Sequence, residues 1–113
     1  MEVKPLNWGK LADVWTLDCR QYRSAQACRD PVLGGARPVL QCDELSDASR
    51  TMLGMAQERW LTEGLGQSKR QWKLVAQATQ ISSTSMPAPV GRSYWNDAWD
   101  GYPEARKRLL QTV

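Results

Sequence analysis

The 113-residue chain carries 15 Lys and Arg against 12 Asp and Glu, a formal net charge of +3, and 42% of its residues are apolar. That length allows one domain with a modest core, and so mild a charge does not demand a nucleic-acid or membrane-surface partner. No apolar run reaches the length of a membrane span, and the opening MEVKPLNWGK lacks the apolar centre of a signal peptide.

In chain order, the first clear element is LADVWTLD, residues 11–18, whose β-branched, aromatic and apolar residues predict a buried strand ending near Asp18. Directly behind it, LDCRQYRS sets an acid, a thiol, two arginines and a tyrosine at the strand's mouth. Charge concentrates there, because Arg20, Arg23, Arg29 and Arg37 face only Asp30 between residues 20 and 37. Arginine's planar fork matches phosphate or carboxylate bidentately, so the segment reads either as an anion-binding loop or as a solvated charged loop. From Gln21 to about Arg50 turn signals dominate, and an irregular stretch of that length usually marks a functional loop. Cys28 and Cys42 bracket its Pro- and Gly-rich part. In an oxidising compartment a disulfide there would stabilise by about 3 kcal/mol in the chain-entropy model. In a reducing one the pair would remain two thiols.

MAQERWLTEGL, residues 55–65, sets Met55, Arg59, Trp60 and Leu61 at helical spacing and predicts a helix with Trp60 packed in the core and with Gly64 and Gly66 marking its end. WKLVAQAT, residues 72–79, alternates Trp72, Leu74, Ala76 and Ala78 with Lys73, Val75, Gln77 and Thr79, the period of a second strand. ISSTSMPAPVGRS reads as a loop, and WNDAWDG leads into PEARKRLLQTV, a short helix with proline at its favoured first position. Glu104 suits the positive first turn, and Arg106, Lys107 and Arg108 are expected nearer the negative end. Strand, loop, helix, strand, loop, helix is an α/β order. Two strands do not sustain such a sheet alone, so residues 1–113 are expected to be part of one domain, without internal boundary and incomplete at both ends.

The chain contains no histidine, which removes the commonest metal ligand and the usual general base near neutral pH. Cys19, Cys28 and Cys42 lack the paired spacing of a zinc site. Cys19 beside Arg20 has the setting of an activated thiolate, but a Cys-x5-Arg phosphate loop would need arginine where Ala25 stands. Cys19 is therefore read as a buried small residue. Asn96, Asp97 and Asp100 offer hard oxygens of the type calcium accepts, although their spacing is not that of a calcium loop. They serve equally as turn residues before the helix at Pro103, with Trp95 and Trp99 packed on it.

Taken together, WGKLADVWTLDCRQYRSAQAC, SRTMLGMAQERWL, WKLVAQAT and DAWDGYPEARKRLL resemble the alkaline phosphatase D family, the PhoD-like metallophosphatases and phosphodiesterases. The resemblance implies an α/β, calcineurin-like catalytic domain, of which this chain corresponds to a middle segment. It also implies hydrolysis of phosphate mono- or diesters with calcium and iron as cofactors, and a periplasmic or secreted location. The family's histidine- and aspartate-rich metal motifs have no counterpart here, and Cys19 stands where the family pattern has threonine. On this reading Arg20 and Arg23 are phosphate donors, Tyr22 hydrogen-bonds a phosphate oxygen, Asp18 orients Arg20, touches a metal or serves only as a capping or salt-bridging aspartate, and Trp99 and Tyr102 wall the pocket.

Three functions compete. The favoured one is a segment of a metal-dependent phosphatase that contributes phosphate-binding residues and is inert by itself. A second is a small anion- or nucleic-acid-binding module built on the arginine loop, with tryptophans as stacking platforms. It would need a continuous basic stripe, whereas the positive charge sits in one loop, so nucleic acid is not the expected partner. A third is a degenerate relative that serves only as an interaction partner.

Overall fold

The computed structural model describes residues 5–113, and it builds more strand than the sequence pattern predicts. The elements run β1 (Leu6–Trp8), β2 (Ala12–Thr16), β3 (Pro38–Val39), a 3-10 turn (Asp43–Ser46), α1 (Met55–Gln67), β4 (Trp72–Ala76), β5 (Met86–Pro87), β6 (Arg92–Trp95), a second 3-10 turn (Trp99–Gly101) and α2 (Pro103–Thr112). They form two three-stranded sheets, β1-β2-β4 and β3-β6-β5.

The first sheet is mixed. β1 and β2 form an antiparallel hairpin through a turn in which Gly9 has φ +58°, while β2 and β4 run parallel with Trp15 opposite Val75. Parallel strands need a crossover, and α1 supplies it. The predicted strand at 11–18 is thus β2, shortened at both ends, although the Leu17 amide still bonds the Ala76 carbonyl at 2.9 Å. The second predicted strand keeps only residues 72–76, because the Gln77 side chain turns to the Trp99 indole. β1, β3, β5 and β6 were not expected: each has two to four residues, too few to carry a period.

α1 runs past both glycines to Gln67, contrary to the sequence expectation that they end it. Gly64 is there for space, since a Cβ on it would lie 2.6 Å from Trp15 Nε1. The helix instead ends where the Ser68 amide bonds the Gly64 carbonyl and the Ser68 hydroxyl donates to Asp13 at 2.7 Å. The main core lies between this face of the sheet and the two helices, with Trp15, Leu17, Met52, Leu53, Leu61, Leu65, Trp99, Tyr102, Ala105 and Leu109 buried together. A smaller core of Ala27, Val39 and Leu45 sits under the long loop. The structure joins Cys28 to Cys42 as a disulfide beside it.

In α2 the three cations lie in the middle of the helix, C-terminal to Glu104 but short of the last turn. Two of them, Arg106 and Arg108, reach to other elements. Arg106 donates to the Ile81 carbonyl at 2.7 Å, and Arg108 holds Glu58 of α1 through Nε at 3.0 Å and Nη2 at 2.8 Å. Tertiary partners outweigh the helix dipole here because a bidentate, partly buried ion pair is the stronger interaction.

The two helical glycines should respond to alanine with opposite signs. Gly66→Ala meets open space and gains about 1 kcal/mol of helix propensity. Gly64→Ala overpacks a rigid, buried indole at a cost of roughly 1–3 kcal/mol, which exceeds that gain. Urea midpoints rising for both variants would contradict this packing.

Candidate functional site

The strand-end segment opens with Asp18, whose carboxylate accepts the backbone amides of Arg20 at 2.9 Å and Gln21 at 3.0 Å. Those bonds to Gln21 and Arg20 hold its carboxyl below the ordinary value, so it stays ionised and folds the chain into a tight turn. Asp18 therefore shapes the backbone that carries Arg20 and makes no ion pair with the Arg20 side chain.

Gln57, in the first turn of α1, fastens this turn to the helix. Its Oε1 accepts the Asp18 amide at 2.8 Å, and its Nε2 donates to the carbonyls of Asp18 and Leu53, both at 2.8 Å. Gln57 is buried on the same helix face as Leu61 and Leu65. The sequence reading missed its role. The available signal was an amide at i−4 and i−8 from two apolar core positions, where a polar side chain must find buried partners.

Four residues converge across the loops. Asp97 accepts Arg20 Nη1 at 2.9 Å, Arg23 Nη2 at 2.7 Å and Gln26 Nε2 at 3.1 Å, and its backbone carbonyl accepts Arg23 Nη1 at 3.2 Å. The two arginines differ in exposure. The Arg23 side chain is 12% exposed and bound twice to Asp97, whereas Arg20 is 65% exposed. Burial alone would raise the Asp97 carboxyl, but hydrogen bonds from Gln26, Arg20 and Arg23, with the Arg23 charge, outweigh it and pull the carboxyl down. Arg29 and Arg37 do not join, so the basic loop is not one patch: the Arg37 backbone meets Asn96 instead, its amide donating to the Asn96 side chain and its carbonyl accepting the Asn96 amide.

Tyr22 is half exposed and lines a cavity of about 440 Å³ with Leu53, Gly54, Met55, Ala56 and Gln57 at the start of α1. Gly54 caps that helix at φ +79° without a side-chain hydrogen bond. A Cβ on it would lie 2.8 Å from Tyr22 Cβ, so glycine lets the tyrosine sit against the helix entrance. The segment thus lies between a strand's carboxyl end and a helix N-terminus, a place where α/β folds present anion-binding groups.

Other candidates are engaged elsewhere. Trp99 and Tyr102, expected as pocket walls, are each 1% exposed and belong to the core. The Trp99 indole donates to Gln77 at 2.9 Å and the Tyr102 hydroxyl to the Ser24 carbonyl at 2.6 Å. The proposed oxygen ligands do not converge either. Asn96 donates to the Ala27 carbonyl and accepts the Arg37 amide, Asp97 is held by the arginines, and Asp100 accepts the Thr84 amide at 2.8 Å. Among the described residues no three acidic, thiol or imidazole groups gather as a metal site, so these side chains do not fit calcium or iron. Cys19 is buried and donates to Gln77, and desolvation pushes its thiol above the ordinary value, which suits packing and not nucleophilic attack.

With the geometry in hand, comparison with known proteins decides the lineage. Residues 3–113 match the PhoD-like phosphatase family. The chain belongs to that family. It is 37% identical to alkaline phosphatase D of Bacillus subtilis (strain 168) over 106 residues, which cover 94% of this chain and 17% of that protein. A solved structure of PhoD superposes with a TM-score of 0.81 at 36% identity, over 96% of this chain and 20% of the other. The chain therefore spans about a fifth of the length of these PhoD relatives, and its mixed α/β fold is one segment of theirs.

The Asp97 carboxyl fixes how this cluster responds to acid. Its value is depressed on folding, so its stabilisation is complete above the unfolded value near 3.8 and is lost as pH falls below that, towards the lower folded value. Asp97→Ala leaves the half-buried Arg23 without its anion and should cost about 2 kcal/mol at pH 7, between the values for exposed and buried pairs, with much of that difference from the parent gone near pH 2. Parallel urea melts at the two pH values check both statements, and a difference independent of pH would contradict them.

Proposed function

We propose that this segment holds the phosphoryl oxygens of an ester in a metal-dependent PhoD-like phosphatase or phosphodiesterase, with Arg20 as the donor. The supporting observation is the asymmetry of the two arginines on Asp97. Arg23 is half-buried and bound twice to Asp97, and it positions the carboxylate. Arg20 is exposed and uses one amino group on Asp97, so its remaining N–H donors face solvent and are free to meet an anion. Tyr22 and the uncapped entrance of α1 add a phenol and backbone amides next to the same turn.

Phosphoryl hydrolysis in such enzymes needs metal ions to activate water and neutralise charge, and calcium and iron are the expected pair. This segment's residues contribute binding and orientation, and the hydrolytic step belongs to the remainder of the catalytic domain. Export to the periplasm or the cell exterior accords with the Cys28–Cys42 pair. The nucleic-acid module is disfavoured because the arginines turn onto Asp97 and form no exposed stripe.

The test uses p-nitrophenyl phosphate and its bis-ester with calcium and iron supplied. The isolated chain should show no turnover. Arg20→Ala, carried in a full-length PhoD-like phosphatase containing this segment, should lower kcat/KM by about 100-fold, the size expected for losing one charged donor, with Arg20→Lys recovering part of it. Undiminished turnover in Arg20→Ala would remove Arg20 from the role.

A further inference from the structure

Asp97 lies two residues beyond β6, and β6 is held by the loop that Cys28 and Cys42 close. Three ties run between them. β3 pairs with β6, setting Pro38 opposite Trp95 and Val39 opposite Tyr94. The Arg37 amide donates to the Asn96 side chain at 2.7 Å, and the Asn96 amide donates to the Arg37 carbonyl at 3.2 Å. Asn96, fully buried, also donates through Nδ2 to the carbonyl of Ala27, the residue before Cys28, at 2.9 Å. Asn96 thus turns its side chain wholly onto the loop, and the next residue is the carboxylate that receives Arg20, Arg23 and Gln26.

These ties are weak without a covalent support. β3 has two residues, and a strand that short has no independent stability. Beneath it lies a core of three buried side chains, Ala27, Val39 and Leu45, against eleven in the main core. So small a core needs a staple, and Cys28 and Cys42 pack directly on it. Cys28 also sits at φ +55°, a left-handed backbone conformation that a residue with a side chain keeps only where its surroundings fix it. Both cysteines are half-buried, within reach of a small dithiol.

We propose that the Cys28–Cys42 disulfide is a redox lock on the Asp97–Arg20 cluster, holding Asn96 in place when closed and releasing it when opened. A dithiol opens it with two electrons and two protons: the Sγ–Sγ bond breaks, Cys28 and Cys42 become thiols, and the reductant closes to its own disulfide. The main core stays folded, because its packing does not pass through the loop. The lock regulates the site of the reading above and rests on that reading for what the cluster binds.

The experiment compares the oxidised chain with the same chain in excess dithiothreitol, the two states confirmed by the mass added on alkylation. Hydrogen exchange at the Arg37 and Asn96 amides should quicken at least ~10-fold on reduction, while the Leu61 amide in α1 keeps its rate. The cost of Asp97→Ala in urea melts should fall by half or more once Cys28→Ser and Cys42→Ser remove the bond, because a released Asn96 no longer aligns Asp97 with its arginines. A smaller change at Arg37 and Asn96, or an undiminished cost of Asp97→Ala, would overturn the proposal. So would equal acceleration at Leu61, or a serine variant that loses its helical circular dichroism, since the disulfide is then a staple of the whole fold. Neither measurement involves phosphate. A lock that passes both while Arg20→Ala leaves turnover undiminished therefore keeps the device and removes the phosphate-donor role.

Discussion

A buried guanidinium organises the irregular half of this molecule. Between the end of β2 and the start of α1 the chain has little regular structure, and buried carbonyls outside helices and sheets must still be paired. Arg50, 8% exposed, does much of that pairing. Its Nη1 reaches the carbonyls of Gly101 at 2.7 Å and Glu44 at 3.3 Å, and its Nη2 reaches Ala25 at 2.9 Å. The guanidinium lies 4.6 Å above the Tyr102 ring. Tyr102 in turn bonds the Ser24 carbonyl, and Ser24 exchanges two hydrogen bonds with Thr51. One cation with five donors thus joins the loop, the second 3-10 turn and the start of α2 without any carboxylate partner.

This clamp is what allows the Asp97 cluster to exist. Arg20, Arg23 and Gln26 lie more than seventy residues from Asp97 in sequence, and the hydrogen bonds among them require the loop and the turn before α2 to be mutually fixed. Arg50 bonds Gly101, four residues beyond Asp97, and Ala25, adjacent to Gln26. The outcome is a graded pair of cations. Arg23 is half-buried and fixed by two bonds to Asp97, and Arg20 keeps its exposure on the same carboxylate.

The two sheet faces set a second constraint. On one, the smallest residue type at Gly64 lets α1 approach the Trp15 indole, and the core closes. On the other, an equally apolar ladder meets solvent. In a chain about a fifth as long as its PhoD relatives, the first sheet is thus packed under α1 on one face and leaves Trp8, Trp72 and Leu74 exposed on the other.

Sequence alone determined a good deal of this. The β2, α1, β4 and α2 positions were readable, because strand alternation, helical spacing and proline at a first helical turn are local signals carried by adjacent residues. The in-order motifs that resemble PhoD-like phosphatases were readable for the same reason. Only the tertiary structure decided the rest. Strands as short as Pro38–Val39 exist through their partners in β6, so no local pattern announces them. Gly64 looked like a helix stop because its need for space is set by Trp15, 49 positions earlier. Trp99 and Tyr102 looked like pocket walls because an aromatic residue's burial depends on what packs over it. Asp97 looked like a metal ligand until distant arginines occupied it. Local propensity is written in neighbouring residues, whereas which side chain meets which across the fold depends on where the loops carry them.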